Sequence, residues 1–274
     1  MSKKIAIIGG GIIGCLSAIK LRESGFSVVI VDKNEIGKES SWAGAGILFP
    51  LMPWLYSPEV YNLCLNSSEF YEKFSRKLFR DTGIDPEFSR SGIKLIEPQS
   101  EDNIHQWARS HNYKTQNSTF QKSSAILLPS VAQIRPPRLM KAIRLYLNQL
   151  GINVIENTEL CSFRAEKNAL KEWPTKDGNS IEADYFIVTS GAWTSMIQVK
   201  YQNKIYPVRG QMIQYKASSL KINHILYSDD FYILQRKDGV IIAGSTAEEV
   251  GFDANVEPES IYYLKKKAEQ LIPG

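Results

Sequence analysis

Ile5-Ala6-Ile7-Ile8-Gly9-Gly10-Gly11-Ile12-Ile13-Gly14 runs from a β-branched stretch into a glycine-rich turn, and Asp32 ends the next apolar run, Ser27-Val28-Val29-Ile30-Val31. The order is strand, turn, helix, strand, acid. Glycine at 9 permits the tight turn out of the strand, glycine at 11 lets backbone amides approach a diphosphate, and glycine at 14 lets the helix pack on the sheet. The helix N-terminus then faces an anion with unpaired N–H groups, and Asp32 is placed to accept hydrogen bonds from a ribose hydroxyl. A glycine-rich turn in an ordinary α/β protein would not need all of these flanking elements. Lys3 and Lys4 before an apolar stretch invite a second alternative, a secretory leader, but the glycines interrupt it and no small-residue cleavage site follows. Residues 12–24 predict a helix with Ile12, Leu16 and Ile19 on one face and Gly25 at its end. Residues 27–31 predict a buried parallel strand.

At 274 residues the chain can bury a sizeable core as one large domain or two small ones. Hydrophobic residues make up 43% without a run of membrane-spanning length, which predicts a soluble protein. The net charge of +4 is dispersed. Its one basic triplet, Lys265-Lys266-Lys267, falls opposite the apolar helix face Ile261, Leu264, Ala268 and Leu271, which predicts a solvated face and no nucleic-acid partner. Cys15, Cys64 and Cys161 are isolated within predicted helices or strands and read as reduced core residues of a cytoplasmic protein. His105, His111 and His224 lack metal-ligand spacing, so no metal is expected.

Beyond the opening βαβ unit, residues 59–80 predict one long amphipathic helix with Leu63, Phe70, Phe74 and Leu78 at helical spacing. A short strand at 94–96, a helix near 101–111 and a polar loop from Thr115 to Ser124 follow. Pro136-Pro137 opens a helix that Gly151 ends, and Asn153-Val154-Ile155 is the next strand. Lys176-Asp177-Gly178-Asn179 reads as a turn, and 184–189 as a buried strand. Antiparallel strands are expected near 205–216, 223–228, 231–236 and 240–243, with Asp238-Gly239 turning the last pair. The predicted fold is α/β: a Rossmann-like nucleotide domain (1–58, 130–203 and 238–274) with an inserted α+β substrate domain on an antiparallel sheet (59–129 and 204–237). A simple nicotinamide dehydrogenase, with its continuous nucleotide domain, fits this layout poorly.

Four further segments are more specific: Ser40-Ser41-Trp42-Ala43-Gly44-Ala45-Gly46-Ile47-Leu48, Thr189-Ser190-Gly191-Ala192-Trp193, Pro207-Val208-Arg209-Gly210-Gln211-Met212, and 244–253, which reads GSTAEEVGFD. With the fingerprint they resemble, over the whole chain, the glycine oxidase (ThiO-like) branch of the D-amino acid oxidase family of flavoproteins. The resemblance implies FAD as cofactor. It places the nucleotide and diphosphate at Gly9, Gly11, Ile12, Ile13, Gly14, Asp32 and Lys33, with hydroxyls from Ser40 and Ser41 at the start of a second helix. It also implies that Ala45, Gly46 and Ile47 lie beside the isoalloxazine, that the backbone of Leu160 contacts the adenine, and that Gly191 lies near the nucleotide. Trp42 and Trp193 are read as core packing.

For substrate, residues 229–236 resemble the family segment that supplies a tyrosine to the substrate carboxylate, which makes Tyr232 the catalytic-site candidate; the residues alone favour an ordinary strand aromatic. A phenol donates without adding charge near the reacting amine. Gln235 departs from the proline usual at its position. Arg209 either favours anionic groups near the flavin or pairs with an acid on the sheet, and is left out of the catalytic set.

The implied reaction passes a hydride from Cα of a neutral amine to the flavin; the imine hydrolyses to a 2-oxo acid and ammonia, and oxygen yields hydrogen peroxide. The implied partners are an amino acid and oxygen, with a homo-oligomer expected and a place in thiamine thiazole synthesis. Sarcosine, a D-amino acid and a modified tRNA side chain are alternative substrates. In the family the last helix is followed by a Gly-Leu-Arg-Pro motif whose arginine holds the substrate carboxylate, and this motif does not occur before Gly274. A buried carboxylate without a charged partner is costly. The expectation is therefore a truncated chain, a second polypeptide supplying that part, or a non-catalytic FAD-binding paralogue.

Overall fold

The computed structural model describes residues 2–50, 52–55, 57–64, 67–162, 170–197, 204–216 and 220–273. In chain order the elements are β1 (Lys4–Ile8), α1 (Ile12–Glu23), β2 (Ser27–Val31), α2 (Ser40–Ala43), β3 (Ile47–Leu48), α3 (Pro58–Cys64), α4 (Ser67–Thr82), β4 (Ile93–Ile96), α5 (Glu101–Ser110), β5 (Gln116–Phe120), β6 (Ser123–Leu128) and β7 (Ala132–Gln133). There follow α6 (Pro136–Gln149), β8 (Asn153–Ile155), β9 (Glu172–Pro174), β10 (Ser180–Glu182), β11 (Tyr185–Val188), α7 (Thr194–Ile197), β12 (Met212–Lys216), β13 (Ile225–Ser228), β14 (Phe231–Gln235), β15 (Val240–Gly244) and α8 (Pro258–Leu271). The chain divides into two units, the first of residues 1–44, 78–85 and 136–207, the second of residues 45–77, 86–135 and 208–274.

In the first unit β11, β1, β2 and β8 form a parallel sheet in that order. The runs 5–8 and 28–31 are buried residue after residue, as strands covered on both faces must be. Because the strands are parallel, all four release their chains at one edge: β1 into Gly9, β2 into Asp32, β8 into Glu156 and β11 into Thr189. That carboxyl edge is where open α/β sheets bind ligands. Helix α1 buries Gly14, Cys15, Ala18 and Ile19, whereas Ile12 and Leu16 of the expected face are only half-buried. The small side chains face the sheet because they let helix and strands approach closely.

The second unit holds a seven-stranded sheet of order β12-β15-β14-β13-β4-β6-β5, antiparallel except where β13 meets β4. The period-two alternation of β14 sends Phe231 and Ile233 to one core, shared with Leu264 and Ala268 of α8. Tyr232 and Leu234 go to the opposite core, with Phe49, Tyr61, Trp107 and Tyr227.

Several expectations need correction. The polar stretch 115–124 forms β5 and the start of β6, because pairing with Ala125, Ile126 and Leu127 decides the matter over composition. The segment expected as one helix over 59–80 contains α3 and α4, with Leu65 and Asn66 outside the described residues. Leu63, expected on the apolar face, is 87% exposed. The strand expected from 205 begins only at Met212, preceded by an isolated bridge between Arg209 and Glu248. Residues 238–274, expected with the nucleotide domain, fall in the second unit, where β15 is hydrogen-bonded between β12 and β14. The boundary expected at 203 lies outside the described residues. Cys15 is buried, but Cys64 and Cys161 are only half-buried and Cys161 lies in no strand. Among the described residues no helix is long and apolar enough to cross a membrane.

Candidate functional site

The carboxyl edge of the parallel sheet opens into a cleft, as open α/β sheets do at their ligand sites. Gly9, Gly11, Ile12, Ile13, Asp32, Lys33, Ser40, Ser41, Leu160 and Gly191 all line it. Gly14 stands behind it. A Cβ there would lie 2.0 Å from the Gly9 carbonyl oxygen and 2.7 Å from Thr189 Oγ1, so only glycine lets α1 start this close to the strand ends.

Gly9 has φ +109, and its own Cβ would fall 2.7 Å from the Thr189 carbonyl. Gly11 is the N-cap of α1 and offers no side-chain cap, which leaves the first-turn N–H groups without intrahelical acceptors. One of them, Ile12 N–H, donates to Ser41 Oγ at 2.9 Å. Ser41 therefore ties α2 to the α1 N-terminus and still has its hydroxyl proton to donate. Gly10 is not among the expected site residues, yet a Cβ there would sit 2.2 Å from Ile36 Cγ2. The uninterrupted Gly9-Gly10-Gly11 run was its signal.

The Asp32 carboxylate is held from both sides. Oδ2 accepts the Gly10 N–H at 2.7 Å and Oδ1 the Asn34 N–H at 2.9 Å. Each oxygen retains a further lone pair for a ribose hydroxyl. Leu160 forms an isolated antiparallel bridge with Thr175, flanked by Cys161 N–H donating to Pro174 and Lys176 N–H donating to Glu159. That is the pattern of a non-hydrogen-bonded pair, so Leu160's own N–H and carbonyl point away from Thr175. Hence a cleft-lining residue offers one donor and one acceptor of fixed direction.

Apolar walls complete the site. Ile13 is 63% exposed, with Trp193, Met196 and Ile197 among the lining residues. Trp193 is not core packing: it lines the cleft, and the Lys33 ammonium stands 4.0 Å from its ring centroid. Trp42 is not core either, being 48% exposed. Anion-binding amides at one end, a preset carboxylate, a directed peptide group and apolar walls fit a dinucleotide such as FAD.

Ala45, Gly46, Ile47 and Tyr232 belong to the second unit. Gly46 has φ +72; its carbonyl accepts the Ile134 N–H at 2.8 Å, and Ile47 pairs with Gln133 across β3 and β7. The Tyr232 hydroxyl donates to Met212 Sδ at 2.8 Å, and burial pushes its pKa up, so the phenol keeps its proton. A Cβ on Gly244 would lie 2.7 Å from Met212 Cγ and 3.2 Å from that hydroxyl, so this glycine clears the space. Arg209 pairs with acids: Glu248 at 2.6 Å and Asp253 at 3.0 Å. Gln235 turns its amide onto its own surroundings, accepting from Ile222 N–H and donating to the Leu220 and Gly239 carbonyls.

Arg236 is not among the expected site residues either, and its buried guanidinium donates to the Ala45 carbonyl. No local pattern points to it, since the two residues are 191 positions apart.

A family model described as FAD dependent oxidoreductase (DAO) matches residues 4–274. Glycine oxidase of Pseudomonas putida is 32% identical, the match covering 100% of this chain and 79% of that protein. The bifunctional protein ThiO/ThiG of Trichormus variabilis is 24% identical, over 100% of this chain and 44% of that protein. The crystal structure of glycine oxidase from Bacillus cereus superposes with a TM-score of 0.86 at 26% identity, covering 98% of this chain and 77% of that one.

Proposed function

The chain belongs to the DAO family of FAD-dependent oxidoreductases, and we propose that it oxidises glycine or another small amino acid to the imine. Water converts the imine to a 2-oxo acid and ammonia, and oxygen leaves as hydrogen peroxide. The identity with the Pseudomonas putida glycine oxidase along the full length of this chain is the observation that carries the substrate class. The bifunctional ThiO/ThiG relative supports use of the product in thiamine thiazole synthesis.

When bound, FAD supplies the two-electron acceptor that the amine carbon needs. The α1 N-terminus and Ser41 hold the diphosphate, with Ser40 beside them. Asp32 accepts from the ribose, Lys33 and Gly191 border the nucleotide, and the Leu160 peptide groups pair with the adenine edge. Ala45, Gly46 and Ile47 lie beside the ring, where small side chains let the backbone come close. Tyr232 donates to the substrate carboxylate. Thioether sulfur is a weak acceptor, so exchanging Met212 for a carboxylate gains a charge-assisted bond of about 1.5–3 kcal/mol.

The test is anaerobic titration of the FAD-loaded protein with glycine, sarcosine and D-alanine, followed at the flavin band. Glycine is expected to bleach it fastest. Protein that takes up no FAD overturns the proposal. Stoichiometric FAD that none of the amines reduces would instead identify a non-catalytic FAD-binding subunit.

A further inference from the structure

Among the described residues Arg236 is the only charged one that is buried, with 8% of its surface exposed. Removing a guanidinium from water costs several kcal/mol unless its donors are satisfied, and an apolar side chain of similar size often packs there at no loss. Arg236 donates to Gln133 Oε1 at 2.9 Å, to the Ile134 carbonyl at 3.1 Å and to the Ala45 carbonyl at 2.5 Å. Each acceptor is a neutral oxygen. The nearby carboxylates of Glu87 and Asp238 bond to Arg135 instead. Burial, followed by repulsion from Arg135, brings Arg236 down to about 10, so it stays charged at neutral pH.

The acceptors belong to two segments that are themselves joined. Ile134 N–H donates to the Gly46 carbonyl and Gln133 pairs with Ile47, so three successive residues of the loop are fixed from this side. A planar fork of five donors suits acceptors arrayed in this way, and an ammonium does not.

We propose that Arg236 is a positioning residue that fixes the Ala45–Ile47 loop and lends its positive charge to the cofactor ring seated on it. The proposal rests on the reading that this loop lies beside the ring. Two-electron reduction by the amine adds negative charge to a flavin, and a cation close by favours the reduced form until oxygen removes the electrons.

The decisive variant is Gln133→Glu, which keeps an acceptor on Arg236 while cancelling its charge. It is made beside Arg236→Met, Arg236→Lys and the exposed control Lys237→Met. The readouts are FAD stoichiometry and the reduction potential by equilibration with a reference dye. Gln133→Glu and Arg236→Met are expected to shift the reduction equilibrium at least tenfold toward the oxidised form, about 30 mV for a two-electron couple. Arg236→Lys is expected to keep the potential and bind FAD more weakly, and Lys237→Met to match the wild type. Unchanged potential in FAD-loaded Gln133→Glu overturns the proposal, whether or not Arg236→Met folds. A shift of equal size in Lys237→Met also overturns it. Wild-type protein that binds no FAD fails the functional reading instead, which separates the two.

Discussion

Gly14→Ala and Gly25→Ala add the same methyl group to the same helix region with different consequences. At Gly14 the methyl would lie 2.0 Å from the Gly9 carbonyl oxygen, far inside the 3.4 Å where ordinary contact begins, and that oxygen belongs to backbone. Overpacking of this kind costs about 1–3 kcal/mol. Alanine recovers about 0.5–1 kcal/mol of helix preference. The net loss of up to about 2.5 kcal/mol lowers Tm by up to about 10 °C for a chain of this size. At Gly25 nothing lies within 4 Å, but φ is +89, so alanine there is strained without touching anything. A left-handed alanine costs about 1–2 kcal/mol, a Tm loss of similar size. FAD affinity separates the pair. Gly14→Ala pushes the α1 N-terminus off the strand ends and is expected to weaken FAD about tenfold, or 1.4 kcal/mol. Gly25→Ala lies at the far end of α1 and should leave affinity unchanged. Differential scanning calorimetry and flavin fluorescence titration measure both quantities. Equal FAD affinity in the two variants would refute the reasoning.

Three further outcomes are expected. Tyr232→Phe should retain FAD and lose little Tm, because the hydroxyl gives up a weak sulfur contact to Met212 and a bond with Ser245, while kcat/KM for glycine falls about 10- to 100-fold; an unchanged kcat/KM removes Tyr232 from the site. Glu248 is held at about 2 by hydrogen bonds from Thr246 and Gln211 and by the Arg209 guanidinium, below its ordinary 4.5. Its contribution to stability is therefore complete above pH 4.5 and lost as pH falls toward 2, so Tm measured across that window should fall more with decreasing pH in the wild type than in Glu248→Gln. Burial, then the Asp32 carboxylate, pushes the Cys15 thiol up to about 12, so iodoacetamide near neutral pH should label Cys64 and Cys161 in the native protein and Cys15 only after unfolding, as read by peptide mass spectrometry.

The parallel half of the fold was legible wherever a local rule is strict. A β-branched run, a turn needing glycine and a helix following it occupy consecutive positions, so β1, α1 and β2 could be placed together. The hairpin β14–β15 was equally plain from Asp238-Gly239. Failures occurred where a partner overrides composition. Gln116-Asn117-Ser118-Thr119 has the texture of a loop and becomes a strand because β6 supplies the pairing and the buried face. Leu63 lies at helical spacing with Phe74 and Leu78, yet only the latter two are buried. Periodicity states that a face exists without stating what covers it.

The glycine-rich turn, the acid beyond it and the alternating β and α textures were determined by the sequence alone. They follow from requirements of single residues: a positive φ, an absent Cβ, or a run of branched side chains. Tertiary structure decided the rest. It chose Gly14, Cys15 and Ala18 as the packed face of α1, aimed the peptide groups of Leu160 by bridging Thr175, turned Tyr232 onto Met212, and brought Arg236 to the carbonyl of Ala45. These choices depend on residues brought together from distant parts of the chain. Their energies are those of desolvation and close packing, which exist only once the chain has closed.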